Sequence, residues 1–520
     1  MVPCSSSATS LDLTFSVRPP RHNRDAAALE AGANPRTVDT HLRGSRTTRA
    51  SKRDNMTEPT ATAPPASPHK TSPLRVAVAS FIGTTVEYYD FFIYGTAAAL
   101  VFPKLFFPDV DAALGILLSF ATFGVGFLAR PLGGVVFGHF GDRVGRKKML
   151  VLSLVGMGLA TMLMGLLPGY EQIGIAAPIL LTVLRLLQGF AVGGEWGGAT
   201  LMAVEHAPQA RKGFFGAFSQ MGAPAGTSVA TLAFLLVAQL PDDDFIAWGW
   251  RLPFLFSAVL IGIGLFIRLS LAESPDFAAV RDRNAVVALP VVTAVRRHWR
   301  EILLVAGTFL SQGVFAYICS AYLISYATTN TGISRTFALT GVFLAGVVAV
   351  ILYPIFGSLS DTFGRKTLYL IGATSMAVVI WPAFALINTG NPWNFVLALI
   401  LIFGIAMAPA AGVTGSLFTM IFDSDVRYSG VSLGYTLSQV LGSAFAPTIA
   451  TALYASTKSS DSIVLYLLGV SAVSIVSVVL LPGGWGRKGA ARQLVTDQEN
   501  NTMKGSDTAV VQSVPVAPEG

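Results

Sequence analysis

Gly138-His139-Phe140-Gly141-Asp142-Arg143-Val144-Gly145-Arg146-Lys147-Lys148 and Gly357-Ser358-Leu359-Ser360-Asp361-Thr362-Phe363-Gly364-Arg365-Lys366 share one pattern, G-x-x-x-D-x-x-G-R-K. Each copy lies between long apolar runs, the first after run two and the second after run eight. Two copies at equivalent positions predict two parallel halves of six membrane-spanning helices each, an all-α architecture. The residue types suit a tight hinge. Glycines permit a sharp turn and close helix approach. The aspartate can accept hydrogen bonds from a neighbouring helix N-terminus or pair with an arginine. Gly138, Asp142, Arg143, Gly145, Arg146, Asp361, Gly364 and Arg365 are therefore expected to form a cytosolic gate. A single copy would read equally well as a basic anchor on the cytosolic side. Thr362 replaces Arg143 in the second copy, which predicts a weaker charge network there.

Outward from these loops, apolar runs lie near 75–101, 113–139, 148–168, 175–204, 214–240 and 251–271, then near 301–326, 337–359, 367–389, 393–420, 430–455 and 463–482. Each is long enough to cross a bilayer, which takes about 20 apolar residues. The composition agrees: of 520 residues, 52% are hydrophobic and 12% charged, against roughly 25% charged in soluble chains. The expected organisation is a disordered tail at 1–72, a six-helix bundle at 73–271, a central linker at 272–300, a second bundle at 301–482 and a flexible tail at 483–520. The first tail lacks an apolar signal core and is too acidic for a transit peptide. Met56 opens a plainer leader, so translation is expected to start there or residues 1–55 to be dispensable.

The net charge of +7 does not point to nucleic acid, because the cations sit in short clusters between apolar runs. Arg143, Arg146, Lys147 and Lys148, Arg211 and Lys212, the central linker, Arg365 and Lys366, Arg427, and Arg487 and Lys488 all fall on one side of a twelve-span chain. The other side carries Asp109, Asp111, Glu171 and Asp242-Asp243-Asp244. This asymmetry predicts cytosolic termini. Cys4 and Cys319 are the only cysteines, one in a polar tail and one in an apolar run, so no structural disulfide is expected. No His/Cys cluster has metal-ligand spacing.

Charges inside apolar runs mark candidate functional positions, since lipid exposure is costly and they must face a cavity or a partner. Glu87 and Asp90 stand at i,i+3 in the first run and share a face with Tyr94, a candidate substrate contact. Carboxylates withdrawn from water can take up and release protons. Asp90 is the leading proton-coupling candidate and Glu87 the second, with a structural ion pair as the alternative. Arg130 and Arg185 can pair with these acids or grip a substrate carboxylate through a bidentate fork. In Gly193-Gly194-Glu195-Trp196-Gly197-Gly198 the glycines read as close-packing positions. Glu195 can join the proton path or a gate. Gln220, Gln312, Tyr317, Tyr435 and Gln439 can bond a hydroxylated or carboxylated solute, or act as glue between helices.

The repeated loop resembles the signature of the major facilitator superfamily. Four longer stretches resemble its metabolite:proton symporters: VEYYDFFIYGTAAALVF (86–102), ATFGVGFLARPLGGVVFGHFGDRVGRKKML (121–150), LRLLQGFAVGGEWGGATLMAVEHAP (184–208) and WGWRLPFLFSAVL (248–260). RYSG at 427–430 matches as well. The likeness is greatest to shikimate-type carriers and spans roughly 75–482. Arg185 falls in the Arg-x-x-Gln-Gly pattern of helix four. Where such carriers often place a glutamate before the RYSG loop, this chain has Met420, so no second-half acid stands there. The resemblance implies proton-coupled uptake of a small organic acid, such as shikimate or a dicarboxylate, by alternating access. It implies a bacterial inner-membrane protein that works as a monomer, without a cofactor beyond the coupling proton. A proline/betaine-type symporter is the alternative within the family. The tail after Arg487 lacks the heptads of that branch's osmosensing members. A facilitator without ion coupling stays open. From other classes, an enzyme would need a nucleophile or metal constellation, and a sensor would need a soluble output domain. Neither stands out.

Overall fold

Inside a bilayer every backbone polar group must find its partner within the chain, so long apolar runs become helices. The computed structural model describes residues 72–144, 146–193, 195–270, 290–423 and 426–482, and these form helices joined by short turns. The tail containing Met56, most of the 272–300 linker and the 483–520 tail lie outside the described residues. So do the side chains of 138–139, 141–147, 150, 194–197, 199, 267–270 and 290–293.

Twelve spans follow one another among the described residues. The first six are α1 Pro73–Leu100, α2 Ala112–Val144, α3 Arg146–Gly165, α4 (Ala176–Val192 and Glu195–Glu205), α5 Lys212–Val237 and α6 Arg251–Ser270. The second six are α7 (Pro290–Tyr317, Ile318–Tyr322 and Leu323–Asn330), α8 Arg335–Phe363, α9 Arg365–Ile387, α10 (Pro392–Leu399, Ile400–Ala406 and Ala408–Phe418), α11 (Arg427–Leu441 and Ala446–Thr457) and α12 Asp461–Leu480. Among the described residues, seven helices are long and apolar enough to cross a membrane unaided, or eight if Asp242–Gly249 and Arg251–Phe266 count as one span bent by 41°. The others are shorter, broken or carry internal charge, and pass as spans only within the bundle. Helix α7 reaches back to Pro290, inside the stretch read as linker, and is non-helical at His298 (φ −126°, ψ 27°).

Polar side chains are folded into the helices rather than left toward lipid. Thr84, Thr161 and Thr231 donate to the carbonyls of Ser80, Met157 and Thr227 at 2.8, 2.9 and 2.7 Å. Gly364 ends α8 at φ 94°, a left-handed turn that a side chain would strain. This accounts for one glycine of the repeated loop.

The two halves repeat their pairings. Helix α1 packs on α5 as α7 packs on α11, α2 on α4 as α8 on α10, and α3 on α6 as α9 on α12. Between halves, α5 and α8 pack along their length, and the halves touch near both ends of their interface. On the face that carries the repeated loops, a Cβ added to Gly357 would meet the Gly213 carbonyl at 2.7 Å. On the opposite face, one added to Gly124 would meet the Phe445 ring at 2.7 Å, and one added to Gly95 the Ala321 methyl at 3.3 Å.

Candidate functional site

Between these contacts lies a cavity of about 40 Å³. Both halves line it: Tyr88 and Phe92 on α1, Gln220 on α5, Gln312 and Tyr317 on α7, Tyr353 on α8, Phe403 and Met407 on α10, and Gln439 on α11. Helices α7 and α10 both turn π-helical at or next to this wall, over Ile318–Tyr322 and Ile400–Ala406. Such turns widen a helix locally and redirect its side chains.

The cavity's polar groups form a partial network. The Tyr88 and Tyr435 hydroxyls stand 2.5 Å apart across the two halves, and Gln439 Nε2 donates to Tyr435 at 2.9 Å. Thr414 donates to Gln312 Oε1 at 2.7 Å. Among the described residues, Gln220 Nε2, Tyr317 Oη and Gln439 Oε1 are buried without a hydrogen-bond partner. Unpaired buried polar atoms are rare in native proteins and call for an explanation such as a ligand.

The charged candidates lie in the first bundle. Asp90 is 1% exposed. Its Oδ1 accepts from Ser257 of α6 at 2.6 Å, and its Oδ2 has no partner among the described residues. Its backbone carbonyl accepts from Gln188 of α4 at 3.3 Å, and Gln188 also donates to Thr161 of α3 at 2.7 Å. Glu87 is buried one turn before Asp90, close enough to Tyr88 and Tyr435 to act on them electrostatically.

Arg185 is fully buried. It donates to Gln188 Oε1 and, at 3.3 Å, to the Phe123 carbonyl. Its guanidinium lies 4.6 Å from the Phe91 ring centre and 4.4 Å from that of Tyr94. Arg130, also buried, lies 4.1 Å from Phe91 and 4.5 Å from Phe127. Neither arginine has a carboxylate within ion-pair distance among the described residues. The pairing of Arg130 or Arg185 with Asp90, one of two options left by the sequence, is thus absent there.

Of the residues proposed from sequence, the structure brings Gln220, Gln312, Tyr317 and Gln439 to the cavity wall, with Tyr435 just behind. Asp90, Arg130, Arg185 and Tyr94 stand deeper in the first bundle, with Tyr94 donating to Thr122 at 2.7 Å. At the second loop, Asp361 accepts from the N–H groups of Gly213 and Phe214 at 2.8 and 3.2 Å and pairs with Arg365 at 3.3 Å. Arg365 also reaches the Met420 sulfur. The side chains of Glu195, Gly138, Asp142, Arg143, Gly145 and Arg146 lie outside those described. Among the described residues, no three His, Cys, Asp or Glu side chains gather in a metal-binding group. Sequence reasoning missed Tyr88, Phe92, Tyr353, Phe403 and Met407 on the wall, and Ser257 and Gln188 at Asp90. Gln188 alone had a signal, as the glutamine of Arg-x-x-Gln-Gly.

The family model described as "Sugar (and other) transporter" matches residues 76–288, and "Major Facilitator Superfamily" matches 304–496. The chain is similar to the inner membrane metabolite transport protein YhjE of Escherichia coli (strain K12), at 41% identity over 416 residues, covering 78% of this chain and 93% of that protein. It is similar to the shikimate transporter of the same strain, at 41% over 411 residues, 78% and 94%. Among solved structures it is similar in fold to a D-xylose-proton symporter, with a TM-score of 0.61 at 16% identity, covering 79% of this chain and 97% of that one.

Proposed function

Because the chain belongs to the major facilitator superfamily of membrane transporters, we propose that it carries a small organic monocarboxylate inward together with a proton. The observation that carries this reading is the pair of buried arginines with no carboxylate at ion-pair distance among the described residues. A guanidinium fork is the side chain best matched to a carboxylate, and a buried cation gains most from acquiring one. The amide and phenol groups left unpaired at the cavity suit a hydroxylated acid. A relative at 41% identity is a shikimate transporter, a solute of that chemistry.

Asp90 is the proposed proton carrier, with Glu87 as its neighbour in the same helix. Ser257 holds one Asp90 oxygen and Thr161 lies close to the carboxylate, and the second oxygen, which makes no full hydrogen bond, is the proposed seat of the proton. The wall itself is neutral, so protonating Asp90 changes the charge behind the wall and not on it. Solute sites usually enclose roughly 300–1,000 Å³, and this cavity is far smaller. Binding then requires the two bundles to part at one face, the motion of alternating access. The basic clusters favour the repeated loops and both termini on the cytosolic side of an inner membrane. Since one chain builds the whole cavity, a monomer suffices.

Counterflow in proteoliposomes, over a panel of hydroxylated acids, dicarboxylates and betaines with and without a pH gradient, tests the reading. A monocarboxylate should exchange, and a gradient, acidic outside, should drive its accumulation. Asp90→Asn should keep exchange and lose accumulation. Full accumulation by that variant, or a sodium requirement, would overturn the coupling assignment. The aromatic wall favours one second reading, a betaine whose quaternary ammonium packs on ring faces. Exchange of betaines alone would select it.

A further inference from the structure

Helices α5 and α8 belong to different bundles and run antiparallel. At the loop face, Asp361 in the last turn of α8 accepts from Gly213 and Phe214 in the first turn of α5. At the opposite face, Arg335, the first residue of α8, grips the chain just past the last turn of α5. Its Nη2 donates to the carbonyls of Ala238 and Leu240 at 3.0 and 2.7 Å, and its Nε to Ala238 at 3.3 Å. Its Nη1 meets Asp242 at 2.6 Å, and the guanidinium lies 4.4 Å from the Phe245 ring centre. An anion at a helix N-terminus and a cation at its C-terminus are the two placements that a helix dipole favours. One helix of the second bundle thus supplies both to one helix of the first.

We propose that Arg335 is the latch of the gate opposite the repeated loops, and that Arg335 and Asp361 bias, with opposite sign, the face to which the central cavity opens. The proposal rests on alternating access but not on the identity of solute or coupling ion. The rest of that gate is apolar packing such as Gly95 on Ala321 and Gly124 on Phe445, which gives closure but little directionality. The carbonyl contacts carry the latch. Asp242 is 88% exposed, and an ion pair with so exposed a partner adds little.

Cys319, buried beside the cavity-lining Tyr353, serves as reporter. In a Cys4→Ser background, a membrane-impermeant maleimide is applied to right-side-out and to inverted vesicles. Arg335→Gln should raise labelling from the Arg335 face about tenfold, the loss of one charge-assisted contact set. Arg335→Lys should raise it less, and also tests the sign if the glutamine variant fails to reach the membrane. Asp361→Asn should lower labelling from that face and raise it from the loop face. Asp242→Asn should stay within about twofold of the parent. Labelling unchanged by both Arg335 variants, shifts of the same sign for Arg335 and Asp361, or a full effect from Asp242→Asn would each overturn the proposal. All these readouts are taken without solute, so a wrong solute assignment leaves them intact.

Discussion

Phe91 is shared by two cations, with the guanidinium groups of Arg130 and Arg185 at 4.1 and 4.6 Å from its ring centre. A desolvated cation–π contact stabilises by about 2 kcal/mol, whereas burying an ion costs several kcal/mol. The rings therefore hold these side chains in place without forming an ion pair with them, which leaves each guanidinium fork open to an incoming carboxylate. Arg130→Gln should weaken solute affinity by about 100-fold or more, the cost of truncating one partner of a buried charge pair. Arg130→Lys should recover only part, since it keeps the charge and loses the fork. The KM of counterflow reads this effect and separates it from Asp90→Asn, which should leave that KM nearly unchanged. At this scale the sequence was most informative where a residue contrasted with its run. Glu87, Asp90, Arg130 and Arg185 stood out as charges among apolar neighbours. Phe92, Phe403 and Met407 could not, because an apolar residue on the cavity wall is indistinguishable from one facing lipid. Ser257 was silent for a related reason: a serine in a membrane helix usually bonds its own backbone.

Helix α4 shows what breaks do. Gly193 separates Ala176–Val192 from Glu195–Glu205. A Cβ there would collide with the Gly134 backbone of α2 and come within 2.5 Å of the Arg130 carbonyl. The break thus sets how closely α4 approaches the segment that carries Arg130. Gly262 of α6 offers the contrast, with nothing within 4 Å of an added Cβ. Gly193→Ala should destabilise by about 1–3 kcal/mol through overpacking and lower transport. Gly262→Ala should be neutral or stabilise by up to about 1 kcal/mol through chain entropy. Thermal melting in detergent distinguishes the two, although the chemical change is the same. Close packing was readable from the small-residue spacing around Gly193. The π-helical turns of α7 and α10 were not, because they answer to tertiary packing at the cavity and leave no local pattern in residues 318–322 or 400–406.

Over the whole molecule, the doubled loop marked the internal repeat, and the matching helix pairings follow it. The interface between halves was less legible, because Arg335 finds its carbonyls about a hundred residues upstream and no motif marks either end. The halves are unequal in chemistry. The first buries Glu87, Asp90, Arg130 and Arg185, while the second presents neutral Gln312, Tyr317, Tyr353 and Gln439 to the cavity and places Met420 beside Arg365.

Among the described residues, the first bundle buries four charges, two carboxylates and two guanidiniums, and this bears on membrane voltage. With all four ionised, this set sums to zero. A monocarboxylate arriving with one proton leaves the sum at zero, so the loaded and empty carriers reorient with the same charge. A field that does about 2.3 kcal/mol of work per charge per 100 mV then has nothing to act on in either direction. Uptake of a monocarboxylate should produce no steady current on a solid-supported membrane and should respond to the pH gradient alone. A dicarboxylate carried with a single proton would give an inward flow of negative charge opposed by an inside-negative potential.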